Sequence, residues 1–361
     1  MHRKALLYSL DKPNHACWHI RLKDPVDAIE EYEPINGVRY YNYPFFKHKS
    51  ITSRHVNSSD IIIVQRYFPQ PRTALLIEKI KKAKGAVVLD LDDDLIHIPE
   101  SHNDYKTLEF TIPYMADFAR HADAVTVSTE SLARKLAYLN PSVKVLPNLI
   151  NDRIWTGGKR STDGKIRILY GGTPHHAKDV AMLEELIIEI NRIYGEKVSF
   201  VLMGCATERV VSLPMVRFIP FQQSYYDYAR ILQDEEIDIA LVPLEDTPFN
   251  SCKSNIKWLE YSLCGIPAVY AALPPYSEVV QGRTGLLARS RTDWKEAVNV
   301  LIQNPALRNS ISEEASKEVR KSFSISNNSS QYYDYFEDLI SEKQLRMAEQ
   351  HKSWFGRLFQ A

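Results

Sequence analysis

The chain has 361 residues, more than one ordinary domain needs and enough for two hydrophobic cores. With 44% hydrophobic and 25% charged residues it has the balance of a globular protein, which excludes a disordered or membrane-spanning class. Lys and Arg equal Asp and Glu at 45 each, so no net field draws the chain onto nucleic acid or acidic lipid, and any charge-driven function is local.

The amino-terminal apolar stretch lacks the length of a signal-peptide core, and no later run is long enough to span a bilayer. Cys17, Cys205, Cys252 and Cys264 show no CxxC spacing, which argues against a zinc knuckle, a redox pair or a disulfide framework. A reducing cytoplasm is the expected compartment.

In chain order, short β-rich runs at residues 5–9, 61–65, 86–91, 124–127 and 143–146 alternate with helical patterns. Residues 156–164, rich in glycine, serine and charge, interrupt this order and are predicted to link two domains. The order restarts at 166–170, 199–203, 237–242 and 267–271. Runs such as IIIV, AVVL and IALV are continuously apolar, as strands covered by helices on both faces must be. The prediction is α/β: two Rossmann-like, doubly wound parallel sheets, domain 1–160 and domain 161–325, with a cleft at their carboxyl ends. A helical pattern at 331–350, carrying Tyr332, Tyr333, Tyr335, Phe336, Leu339 and Ile340, is expected to pack back so that 326–361 completes the first domain. Trp354, Phe355, Leu358 and Phe359 are expected to dock on the protein or to touch a membrane surface, a contact at the inner face of the membrane.

Three loops carry candidate chemistry. In residues 87–99 a buried strand ends in Asp90, Asp92, Asp93 and Asp94, which repel one another unless something uses them. One use is to bind acceptor hydroxyls or orient a sugar. Another is phosphatase chemistry, since Asp90-Leu91-Asp92 resembles the DxD of haloacid dehalogenase-like, magnesium-dependent enzymes. Against that, Asp93 and Asp94 replace the usual small residue and Thr, and no later acidic pair supplies the metal site.

In residues 166–179 a strand runs into Gly171-Gly172, followed by Thr173, His175, His176 and Lys178 as a helix begins. Glycines there allow close backbone approach to a ligand, although the sequence is neither a Walker loop nor GxGxxG. Adjacent histidines rarely share one metal ion, so polar contacts to substrate are expected of them, with a plain loop role close behind. In residues 249–269 a loop, a helix and a Gly265-Ile266-Pro267 turn follow the strand IALV. At about 100° per residue, Lys253, Lys257 and Glu260 share one helical stripe, and Ile256, Leu259 and Leu263 another that faces the core. Cations and helix-end N–H groups suit a pyrophosphate, and a carboxylate suits ribose hydroxyls. Lys253, Ser254 and Lys257 are therefore candidates for the first and Glu260 for the second. The plain alternative is a solvated helix face with a weak i,i+3 pair.

Taken together, these residues resemble the GT-B glycosyltransferases, in particular the family 4-like bacterial enzymes of surface polysaccharide synthesis. The resemblance runs through ADAVTVST at 122–129 and VKVLPNLIN at 143–151 to the stretch F-N-x-x-K-S-x-x-K-x-x-E-Y from Phe249 to Tyr261. Glu260, Gly265 and Pro267 match the second of the family's two donor-site glutamates and the turn after it, whereas Cys252 stands where the first belongs. The resemblance implies sugar transfer from a nucleoside-diphosphate sugar to a glycan or lipid-linked acceptor, with retention and without a required metal or other cofactor. It implies that Lys178 and Lys253 bear the developing diphosphate charge and that Asp92 and Asp93 lie in a loop contacting the donor sugar. Gly171, Gly172, Thr173, His175, Lys178, Lys253, Ser254, Lys257 and Glu260 are then the donor-binding set. The alternatives are the phosphatase, a sugar epimerase on the same fold, and a catalytically silent nucleotide-sugar-binding partner of an active transferase.

Overall fold

The computed structural model describes residues 2–30, 32–36 and 55–358. The chain divides into two compact units: Met1–Pro13, Cys17–Pro147 and Asn328–Ala361 form the first, and Asn14–Ala16 with Asn148–Asn327 the second. The change of unit thus falls at 147–148, ahead of the predicted linker. The reason is packing, because residues 148–160 are tied to second-unit elements. Trp155 is 0% exposed and its Nε1 donates to the Tyr225 hydroxyl at 2.8 Å, and the Gly158 N–H donates to the Cys264 carbonyl at 3.0 Å.

The first unit holds a six-stranded, wholly parallel sheet in the order β2-β1-β3-β4-β5-β6, with β1 Arg3–Tyr8, β2 Tyr32–Asn36, β3 Ile61–Gln65, β4 Ala86–Leu91, β5 Ala124–Val127 and β6 Val143–Val145. Every residue of β3, β4 and β5 is buried, as strands between two helical layers must be. Their helices include α1 Ala74–Ile80, α2 Ile112–His121 and α3 Glu130–Leu136.

The second unit repeats the plan in the order β12-β11-β10-β7-β8-β9, again wholly parallel: β7 Ile166–Gly171, β8 Val198–Met203, β9 Val216–Ile219, β10 Ile239–Val242, β11 Ala268–Ala271 and β12 Leu286–Ala288. Its helices include α4 Ala177–Ala181, α5 Glu184–Tyr194, α6 Tyr225–Asp234, α7 Ile256–Leu263, α8 Arg291–Gln303 and α9 Pro305–Phe323. The two doubly wound sheets are those the sequence predicts. The strands it misses, β2, β9 and β12, all lie at sheet edges. An edge strand needs no continuous apolar run, and in β9 no residue is buried.

The last helix, α10 Ser330–Leu358, belongs to the first unit. Tyr332, Phe336, Leu339 and Ile340 bury at its inner face, while Arg3 grips Glu337 at 2.9 Å and Lys343 and Arg346 reach Asp123 at 2.9 and 3.0 Å. The side chains of Trp354, Phe355, Leu358 and Phe359 lie outside the described residues, so the expected tail contact stays untested. Among the described residues no helix is long and apolar enough to cross a membrane.

One buried ion pair joins four segments of the first unit. Arg21, with 0% side-chain exposure, places Nη2 2.6 Å and Nε 3.2 Å from the Asp90 carboxylate and donates from Nη1 to the Leu146 carbonyl at 2.6 Å and the Tyr332 hydroxyl at 3.2 Å. Removing one member of such a pair leaves an uncompensated buried charge. Arg21→Met is expected to lower the urea unfolding free energy by about 3–5 kcal/mol, and an unchanged unfolding midpoint would refute that role.

Candidate functional site

In the second sheet the chain leaves β7 in one direction through β8 and β9 and returns on its other side through β10, β11 and β12. The crevice beyond the carboxyl ends of β7 and β10 is therefore the switch point at which ligands settle in open parallel sheets. Two predicted segments meet there: the Gly171-Gly172 turn that ends β7, and the stretch after β10 that leads into α7.

Close packing explains the glycines. A Cβ on Gly172 would stand 2.6 Å from the Tyr170 hydroxyl, and a Cβ on Gly204 would stand 2.2 Å from the Gly172 carbonyl oxygen. Gly204 also has φ +81°, a conformation that only glycine adopts freely. After the turn come a 3₁₀ turn, Pro174–His176, and the five-residue α4. Asp179 in α4, 5% exposed, pairs with His176 Nδ1 at 2.6 Å and accepts the Glu245 N–H at 2.9 Å, which fastens the β7 loop to the β10 loop. His176 is thus a carboxylate partner. Thr173 and Lys178 are exposed, and the side chain of His175 lies outside the described residues.

α7 departs from the predicted stripe. It begins at Ile256, so Lys253 and Ser254 precede it and do not share its face with Lys257 and Glu260. Lys253 lies in extended backbone after a 3₁₀ turn and holds Nζ 5.1 Å from the centre of the Phe249 ring. Ser254 Oγ accepts from Asn148 Nδ2 at 2.8 Å. Cys252, at the position of the family's first glutamate, is 3% exposed and turns Sγ to the Pro248 carbonyl at 3.5 Å.

The solvated-face alternative fails as well. Trp258, Leu259, Tyr261 and Leu263 are all at most 2% exposed, and Glu260 itself is 4% exposed. A carboxylate so deeply buried needs partners. It finds them in the Tyr228 hydroxyl of α6, which donates to Oε2 at 2.8 Å, and in Lys257 Nζ at 3.4 Å. Lys257 Nζ also donates to Tyr228 Oη at 2.9 Å and lies 4.9 and 5.7 Å from the ring centres of Tyr228 and Tyr261. Burial, reinforced by the Glu260 charge, pushes both tyrosine hydroxyls well above their ordinary pKa, so they are protonated donors at neutral pH. Lys257 Nζ and the Tyr261 hydroxyl converge on Gly171, 3.9 and 2.8 Å from where its Cβ would be. The structure therefore brings Gly171, Lys257 and Glu260 together and adds Tyr261, the last residue of the F-N-x-x-K-S-x-x-K-x-x-E-Y stretch, and Tyr228, which no sequence pattern marks.

The acidic turn of the first unit has a different explanation from the one its sequence suggests. Asp90 is paired with Arg21, Asp92 with Arg66 Nε at 3.4 Å and Asp94 with Lys135 at 2.5 Å, while His97 Nδ1 lies 2.7 Å from Asp94 Oδ1. Asp93 is half-buried, and its carbonyl accepts the Leu95 N–H at 2.8 Å. Asp90 is 2% exposed and both its oxygens are engaged, by Arg21 and by Thr126 at 2.8 Å, so it is not placed to attack a phosphate. The phosphatase alternative loses its nucleophile.

This unit has its own switch point, between β1 and β3. Arg66, the residue after β3, occupies it with φ +52°, the one positive φ outside glycine among the described residues. Its Nη1 lies 2.7 Å from Cys17 Sγ and 3.8 Å from Asp11 Oδ2, and the Tyr67 hydroxyl donates to Asp11 Oδ1 at 2.6 Å. This meeting of Asp11, Arg66 and Tyr67 is one that sequence spacing cannot reveal, because the partners come from separate loops.

Comparison with known proteins matches this picture. Residues 193–334 match the family described as Glycosyl transferase-like. HepE of Anabaena, solved with UDP-glucose, superposes with a TM-score of 0.62 at 14% identity, over 98% of this chain and 100% of that one. The UDP-forming trehalose-phosphate synthase of Burkholderia xenovorans gives 0.60 at 12% identity, over 94% and 99%. TarM gives 0.56 at 11%, over 78% of this chain but only 54% of its own length. The fold is GT-B. Among curated proteins none matches the chain in sequence.

Within this GT-B chain the Gly171-Gly172 turn depends on Gly204. Gly204→Ala forces a Cβ into the Gly172 carbonyl from a positive φ, and is expected to destabilise by more than about 1 kcal/mol. Thermal unfolding checks this, and an unaltered melting temperature would show that the turn is free to move.

Proposed function

We propose that the protein is a glycosyltransferase that takes a nucleoside-diphosphate sugar as donor and a glycan or lipid-linked molecule as acceptor, with the second unit holding the nucleotide. The observation that carries this is the buried Lys257–Tyr228–Glu260 cluster at that unit's switch point. The likeness of residues 193–334 to a glycosyltransferase family and the GT-B fold support it.

In this reading Glu260, whose Oε2 serves Tyr228 and Lys257, offers Oε1 to the ribose hydroxyls. Lys257 faces the diphosphate, and Gly171 and Gly172 let backbone approach it. Thr173, His175 and Ser254 supply polar contacts. The bond from the sugar's anomeric carbon to the diphosphate oxygen breaks as the acceptor oxygen bonds to that carbon, and the acceptor hydroxyl's proton passes to an oxygen of the leaving diphosphate. Lys178 and Lys253 carry the negative charge that collects on the leaving diphosphate, and Asp92 and Asp93 of the first unit orient sugar or acceptor. Retention at the anomeric carbon, independence of a metal and a place in bacterial surface polysaccharide synthesis, in the cytoplasm at the inner membrane face, belong to the same proposal through the family 4 resemblance. HepE is solved with UDP-glucose and the trehalose-phosphate synthase is UDP-forming, which makes UDP-glucose the first donor to try.

Cys252 favours one second reading, a silent nucleotide-sugar-binding partner, because the thiol cannot do a glutamate's work at that position. Titration of UDP-, GDP- and dTDP-sugars followed by turnover assays separates the two. Glu260→Ala is expected to weaken donor binding at least about tenfold, a loss of roughly 1.4 kcal/mol. Lys253→Ala is expected to lower turnover with little change in melting temperature. Binding and turnover unaltered in both variants would sink the donor assignment, and binding without turnover in the wild type would select the silent partner.

A further inference from the structure

Tyr261 carries a hydroxyl that the fold buries and does not use. The side chain is 0% exposed, and among the described residues its Oη has no hydrogen-bond partner. A buried hydroxyl without a partner is a net cost to the native state, and a phenylalanine of the same shape would avoid it. The hydroxyl is also aimed. It lies 2.8 Å from where a Cβ on Gly171 would be, so the absence of a side chain at the last residue of β7 is what leaves it room beside the end of that strand.

The chemistry at that spot is specific. Lys257 Nζ stands 3.9 Å from the same point. Its contacts to Tyr228 and Glu260 use two of the ammonium's three donors and leave one. Burial first, and then the charge of Glu260 and the neighbouring Tyr270, Tyr276 and Tyr170, push the Tyr261 hydroxyl well above its ordinary pKa, so it keeps its proton. A protonated hydroxyl beside an ammonium suits an oxygen that only accepts and carries negative charge. A ribose hydroxyl would need an acceptor too, and Glu260 is the acceptor of this site.

We infer that the Tyr261 hydroxyl donates a hydrogen bond to a phosphate oxygen of the bound nucleoside diphosphate, which the Lys257 ammonium draws to Gly171. This rests on the donor-site reading above and adds to it a contact specific to the phosphate.

The test is calorimetric titration of UDP, GDP and dTDP into wild-type protein and Tyr261→Phe, with the matching nucleosides followed by ligand-observed NMR and the ligand-free melting temperatures of both proteins. The inference expects Tyr261→Phe to melt no lower than wild type, to bind the best diphosphate about tenfold more weakly, and to bind the nucleoside as wild type does. Diphosphate affinity unchanged by the substitution overturns it. So does a lower ligand-free melting temperature with equal losses for nucleoside and diphosphate, since the hydroxyl would then be serving the fold. If wild-type protein binds none of the three diphosphates, the donor-site reading itself falls and this inference with it.

Discussion

Glu260 is a carboxylate 4% exposed on a helix whose neighbouring positions are apolar, and a lysine and a tyrosine hydroxyl keep it there. Desolvating a lysine and a glutamate together costs several kcal/mol per ion before their attraction repays any of it, and apolar residues of similar volume often serve stability as well or better. The cluster is therefore not explained by stability. Its position explains more, because it lies where β7 and β10 diverge, the one place in a doubly wound sheet where side chains from two loops converge without a helix above them. Tyr228 reaches in from α6, Gly171 leaves room from β7, and α7 brings Lys257, Glu260 and Tyr261.

The same rule organises the first unit. There the switch point between β1 and β3 holds Arg66 between Asp11 and Asp92, while the pair Arg21–Asp90 one layer deeper fixes the strand from which Asp92 projects. The acidic turn is stable because each of three carboxylates has its own cation, and this settles the repulsion that four aspartates within five residues would otherwise create. Both units thus gather polar side chains at the switch point of a largely apolar parallel sheet.

How much of this was legible in sequence followed from the range of the interactions. The buried strands announce themselves by continuous apolar runs, so β3, β4 and β5 are read to the residue, whereas the half-exposed β9 is not. The Lys257 and Glu260 pair was visible because both residues lie on one helical turn. Tyr228 was not, since it lies 29 and 32 residues away and meets them only through the fold. The spacing of Lys253 suits a helix, but the chain makes a separate 3₁₀ turn at Asn250–Cys252 before α7 starts. The aspartate turn invited a catalytic reading because its counter-ions, Arg21, Arg66 and Lys135, come from other segments.

The central claim is that the Lys257–Tyr228–Glu260 cluster serves a ligand and not the fold. The most direct measurement is urea unfolding together with UDP, GDP and dTDP titration of the triple variant Lys257→Met, Tyr228→Phe, Glu260→Leu, in which all three polar groups vanish at once and none is left orphaned. The account expects stability within about 1 kcal/mol of wild type or above it, with nucleotide binding abolished. A triple variant that loses several kcal/mol of stability, or that still binds the nucleotide as wild type does, would contradict it.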